Sequence, residues 1–246
     1  MSTAPSNVTQ RATNHNHATD ADQRMQWLMG TWAVFRKDVR LELRNRYAVN
    51  TLLMFVVAAL LLVTFAIGQE PVSERVQAAL LWIVILFSAS IGLGRSFVSE
   101  EERGTVLLLQ LNTRPSTVYA GKLLFNIVLV LGLNLVALVL FLVLLDVPMR
   151  APGLLLTVVL LGALGLSGAT TLLAAIIARA ARRGPLLPVL LLPLLMPLLL
   201  SVVSATRKAI LGAGWFAAQS ELFTLIGFTG TTISASVLLF DYVWND

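Results

Sequence analysis

The chain has 246 residues, of which 57% are hydrophobic and only 13% charged, with a mean hydropathy of +0.82. That balance excludes a soluble globular domain, and the absence of cysteine excludes a disulfide framework, a thiolate metal site and a thioether-linked prosthetic group. The net charge is +5, but the basic residues flank apolar runs instead of forming one patch, so membrane topology explains them better than a nucleic acid does.

Runs of about 20 apolar residues cross a hydrocarbon core of roughly 30 Å, and the sequence contains about six of them. The runs are continuously apolar, without the alternation of membrane β-strands, which argues against a barrel. The expected fold is all-α: a polytopic membrane protein with six transmembrane helices, preceded by an amphipathic interfacial helix.

Residues 1–24 are rich in Ser, Thr, Asn, Ala and Asp and read as a disordered polar tail. They lack the apolar core of about 7–15 residues that a signal peptide needs. His15 and His17 offer two metal ligands on that tail, fewer than such sites use, so no metal is assigned. Residues 25–48 change character. Leu28, Trp32, Phe35, Val39 and Leu43 recur at three- and four-residue spacing on one face, with Arg36, Lys37, Arg40 and Arg44 on the flank. Apolar and aromatic residues beside a basic flank predict a helix lying in the membrane interface.

The remaining chain, 49–246, reads as a six-helix membrane domain. The first span covers about 50–67 and stops at Gly68; the second covers about 76–97, with Arg95 near enough to its end to reach headgroups. Between the second and third spans comes the longest charged connection, 98–117, an elbow in which Glu100, Glu101, Glu102 and Arg103 precede Gly104 and Thr105. Carboxylates belong in a first helical turn, against the positive end of the helix dipole. They predict a short apolar helix over Val106 to Leu111 that Pro115 brings to an end, since proline biases the preceding residue away from helix. A solvated loop carrying charge merely to stay in water is the other reading of the same residues.

The third span, about 118–145, begins with Lys122 placed to snorkel, and a turn at 146–150 leads to the fourth, about 152–178. Gly162, Gly165 and Gly168 line the fourth span, with small residues four apart at Ala163/Ser167 and Gly165/Ala169. Such spacing lets another helix approach closely and predicts an interior or subunit-contact helix. The fifth span, about 185–204, holds Pro185, Pro188, Pro193 and Pro197. Pro193 and Pro197 share a face and each frees a carbonyl four residues earlier, predicting a kink that serves either as a hinge or as a packing shape. Residues 205–219 look too short and glycine-rich to span again and read as interfacial or re-entrant; the sixth span covers about 220–240.

Lys and Arg near the span ends number 12 on the side of residues 36–46, 95–122 and 179–183, against 4 (Arg75, Arg150, Arg207, Lys208) on the other. By the positive-inside rule the amino terminus, the elbow and the carboxyl terminus are cytoplasmic.

Several chemistries are missing. The Gly121-Lys122 pair is followed by Leu123 and has Ser116 where a phosphate loop needs its leading glycine, so the chain carries no nucleotide cradle. No span has an ionisable group near its centre, where pumps and proton-coupled carriers place them. No catalytic residue is assigned, and energy is expected from a partner.

Three stretches carry a resemblance: residues 37–46, residues 94–105 with Pro115 and Lys122 following, and residues 182–198, a basic turn leading into the proline-rich span. Six spans behind a basic amphipathic helix, with an acidic Gly-Thr elbow, resemble the permease subunits of ABC exporters. In order and spacing the chain after residue 34 is similar to the haem exporter protein B (CcmB) family, the permease of the cytochrome c maturation system; the tail 1–24 departs from that pattern. The resemblance implies a bacterial inner-membrane complex containing two copies of this chain, a separate cytoplasmic ABC ATPase, further cytochrome c maturation membrane subunits and a haem chaperone on the outer side. In it, Glu100, Glu101, Glu102, Arg103, Gly104, Thr105 and Pro115 would couple ATP hydrolysis in the partner to movement of the spans. No cofactor is assigned to this chain itself; haem is the implied substrate, with Arg207 and Lys208 as candidate contacts for its propionates. An exporter of another bulky amphiphile, such as a lipid-linked glycan or a drug, and a non-transporting scaffold are the alternative readings.

Overall fold

A computed structural model describes residues 6–44, 46–68, 70–93, 115–178 and 186–245. Helices account for nearly all of them, and no strand occurs among the described residues. In chain order they are α1 (Ser6–Arg44), α2 (Arg46–Ile67), α3 (Glu74–Leu93), α4 (Pro115–Leu144), α5 (Pro152–Ala178), α6 (Leu186–Ile210), a 3-10 turn (Trp215–Ala218) and α7 (Gln219–Asn245). Six of the seven α-helices, all but α1, contain a stretch long and apolar enough to cross a membrane.

The spans fall close to where hydropathy places them, with two differences. Residues 205–210, expected in a re-entrant segment, instead complete α6, so only 211–218 connect it to α7. The reason is a strong stop signal further on than expected: Gly212 takes φ +79, its N–H donates to the Ala209 carbonyl at 3.1 Å and the Ala213 N–H to the Lys208 carbonyl at 2.9 Å. That pair of bonds is a Schellman closure, in which a left-handed residue lets the chain cap its own last carbonyls. The same bond over five residues, Val147 N–H to Leu142 carbonyl at 3.2 Å, closes α4 with Asp146 at φ 49.

The second difference is at the amino end. The helical backbone of α1 begins at Ser6, through most of the stretch that composition assigns to a disordered tail. No proline or glycine interrupts residues 6–29, and a helix already nucleated by packing further along propagates at low cost.

The core lies between α3, α4, α5 and α6, around Trp82, Tyr119, Phe141, Leu154 and Leu166. α5 occupies the middle of the bundle, touching α6, α7, α4 and α3. Large apolar side chains are equally abundant outside, among them Phe65, Val143, Leu200 and Leu238. In water such a surface would be untenable. In lipid it is expected, because acyl chains are as apolar as leucine and burial there drives no association. Close backbone approach and hydrogen bonds must specify the packing instead.

Candidate functional site

Those specifying contacts converge at the end of the bundle where α4 begins. Pro115 is the first residue of α4, a position where its missing N–H would have had no helical partner and its fixed φ suits the helix. It therefore both limits the elbow and opens the third span. Glu100, Glu101, Glu102, Arg103, Gly104 and Thr105, and the short helix expected over 106–111, lie outside the described residues.

Within the first turns of α4, Tyr119, Lys122 and Asn126 are buried at i, i+3 and i+7, so they share one face. Two of them bond directly to other helices. The Lys122 Nζ lies 3.3 Å from Asp38 Oδ2 of α1, with side-chain exposures of 0% and 7%. The Asn126 amide donates to Thr171 Oγ1 of α5 at 2.8 Å, and Thr171 in turn donates to the Ser167 carbonyl at 2.6 Å. Tyr119 is buried on the same face. One polar stripe thus ties α4 to α1 and α5 immediately after the elbow.

The position of Lys122 corrects the expectation that it snorkels to the headgroups: the ammonium is enclosed and paired with a carboxylate. Two glycines explain how α1 comes near enough. A Cβ on Gly121 would lie 2.6 Å from Val34 Cβ and 2.9 Å from the Thr31 carbonyl oxygen, and one on Gly30 would lie 2.8 Å from Thr117 Cγ2. The helices cross where both lack side chains. α1 accordingly packs through Thr31, Val34 and Asp38, while Leu28, Trp32 and Leu43 of its apolar face remain exposed and Phe35 and Val39 are half-buried. The Trp32 and Phe35 rings meet at a tilt of 36°, their centroids 5.1 Å apart.

On α5 the three glycines meet three different surroundings. A Cβ on Gly162 would collide with the Trp82 ring, which is held by a 2.9 Å hydrogen bond from its Nε1 to Thr206 Oγ1 of α6. One on Gly165 would collide with Leu198 of α6 and come within 3.0 Å of Thr229 Oγ1 of α7; one on Gly168 would sit 3.2 Å from Ile233 of α7. On α6, Pro193 and Pro197 lie inside the helix with exposed side chains, and the helical run continues through both. The Ser201 hydroxyl donates to the Pro197 carbonyl at 2.8 Å.

At the opposite end, Lys208 is engaged rather than free. Its Nζ contacts Glu221 Oε1 at 2.5 Å and the Ala217 carbonyl at 2.6 Å, and Ser204 also donates to that carboxylate at 2.8 Å. Glu221 was not singled out from sequence, nor were Asp38, Asn126, Thr171 or the Trp82–Thr206 bond. A signal existed for some of them. An ionisable or amide side chain inside an apolar helix is seldom there without a partner, and Gly30 and Gly121 marked a close approach.

Nothing in this arrangement has the form of a catalytic centre, and no cluster of His, Asp and Glu suited to a metal occurs among the described residues. What it provides is a helix start bound by polar contacts to two neighbouring helices. The comparisons point to a membrane protein. Residues 29–240 match the family model described as CcmB protein. The chain is 33% identical over 205 residues to Heme exporter protein B of Rhodobacter capsulatus, covering 82% of this chain and 92% of that one. It is 27% identical over 203 residues to Heme exporter protein B of Bradyrhizobium diazoefficiens, covering 82% and 91%. This multi-pass membrane protein belongs to the CcmB family.

Proposed function

We propose that the chain is the membrane permease subunit of an ABC transporter complex for haem export or haem chaperone release in c-type cytochrome maturation. The observation that carries this reading is the family match over residues 29–240, which takes in α1 from its packing stripe onward and all six spans, together with relatives named as haem exporters. The chain lacks a nucleotide cradle of its own, so ATP is hydrolysed by a separate cytoplasmic subunit. The elbow with Glu100, Glu101 and Glu102 receives that subunit's movement, and Pro115 passes it into α4. The polar stripe of Lys122 and Asn126 supports this route, since displacement of the α4 start is felt at once by α1 and α5. A homodimer in the bacterial inner membrane, with both termini cytoplasmic, is the arrangement implied. Pro193 and Pro197 are the candidate hinge of α6. With Lys208 held by Glu221, the candidate contact for a haem propionate at the outer end reduces to Arg207.

The test is capture of the tagged chain from native membranes in mild detergent, wild type beside the triple Lys variant at Glu100, Glu101 and Glu102. The wild type should retain an ABC ATPase and cytochrome c maturation subunits. The variant should insert normally yet lose the ATPase or fail to couple its turnover, with mature c-type cytochromes falling at least tenfold. An ATPase without maturation subunits would favour an exporter of another amphiphile. A fully active variant would return the elbow to a solvated loop.

A further inference from the structure

α1 meets the bundle along a single stripe, and two independent constraints fix its rotation about its own axis. One is steric, the contact of Gly121 with Val34 and the Thr31 carbonyl; the other is the enclosed Asp38–Lys122 pair. With the roll set, the helical repeat decides where every other residue points. Leu28, Trp32 and Leu43 project roughly a third of a turn away from the contact stripe, and Arg36, Arg40 and Arg44 roughly a quarter turn beyond them. All six are exposed. Among the described residues, the guanidinium groups of Arg36, Arg40 and Arg44, one turn apart along the helix, make no ion pair or hydrogen bond. An open groove of about 520 Å³ runs along this side, with Met29, Trp32 and Ala33 in its wall beside the three arginines.

Free guanidinium groups in a row call for anions. An adjacent row of leucine and tryptophan calls for hydrocarbon. A leaflet of anionic phospholipid presents both at adjoining levels, and α1 stands at that level because α2 starts at Arg46 and enters its apolar stretch at Val49. An acidic protein surface would satisfy the arginines and leave the apolar row to be covered by something else.

We propose that the exposed side of α1 is a binding surface for anionic phospholipid, with headgroup phosphates on Arg36, Arg40 and Arg44 and acyl chains against Leu28, Trp32 and Leu43. The buried pair orients this surface, so lipid binding and the packing of α1 on α4 are coupled. The proposal is independent of what the chain transports.

The full chain purified in detergent is titrated with phosphatidylglycerol or phosphatidylcholine, and retained lipids are counted by native mass spectrometry. A basic residue close to an anionic surface strengthens binding roughly fivefold, so the wild type should favour phosphatidylglycerol at least tenfold. R36Q/R40Q/R44Q should bring the two lipids close to parity, while R36K/R40K/R44K should keep most of the preference. Should the Gln variant fail to fold, a nitroxide on Trp32→Cys, the sole thiol in the chain, gives the same answer. It should become more accessible to oxygen in phosphatidylglycerol vesicles than in phosphatidylcholine vesicles. Equal retention of both lipids by the wild type overturns the proposal, as does full preference in the Gln variant or a label indifferent to headgroup charge. Loss of a bound protein by the Gln variant, with its lipid counts unchanged, also overturns it and assigns the face to an acidic partner.

Discussion

Asp38 and Lys122 are 84 residues apart in sequence and within hydrogen-bond distance in the fold. Asp38 also pairs with the half-exposed Lys37 at 3.5 Å, and removing one charge from an enclosed pair costs about 3–5 kcal/mol. Asp38→Asn should therefore lower the stability of the α1–α4 contact by several kcal/mol, and the compensated double variant Asp38→Asn with Lys122→Met should recover part of it. Thermal unfolding in detergent, with limited proteolysis at the α1 end, measures both; a single variant as stable as the wild type would show that solvent reaches the pair. Neither residue announced this from sequence. Asp38 sits in a run of arginines and lysines that looks like a solvated basic flank, and a lysine near a span end ordinarily snorkels. What was missing was the partner, because a long-range ion pair has no local pattern. The three glycines of α5 differ in this respect, since a small residue every three or four positions shows in the sequence without knowledge of its neighbour.

For helices the sequence was informative about existence and weaker about ends and faces. All six spans fall near their expected bounds, because length and hydropathy are set by the bilayer and need no tertiary information. The end of α6 was placed too early, as Arg207 and Lys208 look like a boundary; Lys208 stays helical because Glu221 and the Ala217 carbonyl engage its charge. On α1 the apolar face was legible, but the face that packs is the one with small and polar residues, as expected where lipid competes for apolar surface. α5 yields a sharper test. Gly162→Ala pushes against an indole that its bond to Thr206 prevents from turning aside, and overpacking of this kind costs about 1–3 kcal/mol. Gly168→Ala meets Ile233 Cγ1 at 3.2 Å and Thr232 Cγ2 at 3.7 Å, contacts that a shift of a few tenths of an ångström relieves, and should cost far less. Melting temperatures should rank wild type and G168A close together with G162A well below; the reverse order would mean that Trp82 is free to move.

Across the whole molecule, the bundle sorts its residues by solvent in a way that composition only hints at. The apolar exterior and the polar stripe near the α4 start invert the arrangement of a soluble protein. The proposed orientation, with the α1 side cytoplasmic, rests on the excess of basic residues there. Because the chain has no cysteine, single cysteines can report the orientation directly. Thiols at Ser73, Met149 and Ala213 should react with a membrane-impermeant maleimide added to intact spheroplasts, whereas one at Arg24 should react only after permeabilisation. Labelling in the opposite sense would reverse the proposed topology and place the elbow beyond reach of a cytoplasmic ATPase. The role proposed for the elbow rests on family resemblance alone, since charge in a loop is equally consistent with mere solubility.

The connections at the end of the bundle opposite α1 are short, and two of the helices finishing there close on their own backbone at Asp146 and Gly212. Each pair that meets at that end, α2 with α3, α4 with α5 and α6 with α7, is therefore hinged at its tip like a pair of tweezers. Such a pair spreads only at the end where α1 sits, and the three pairs part from one another only by giving up side-chain contacts. The Trp82–Thr206 bond fastens α3 of the first pair to α6 of the third, so separating those two pairs has to release the indole N–H.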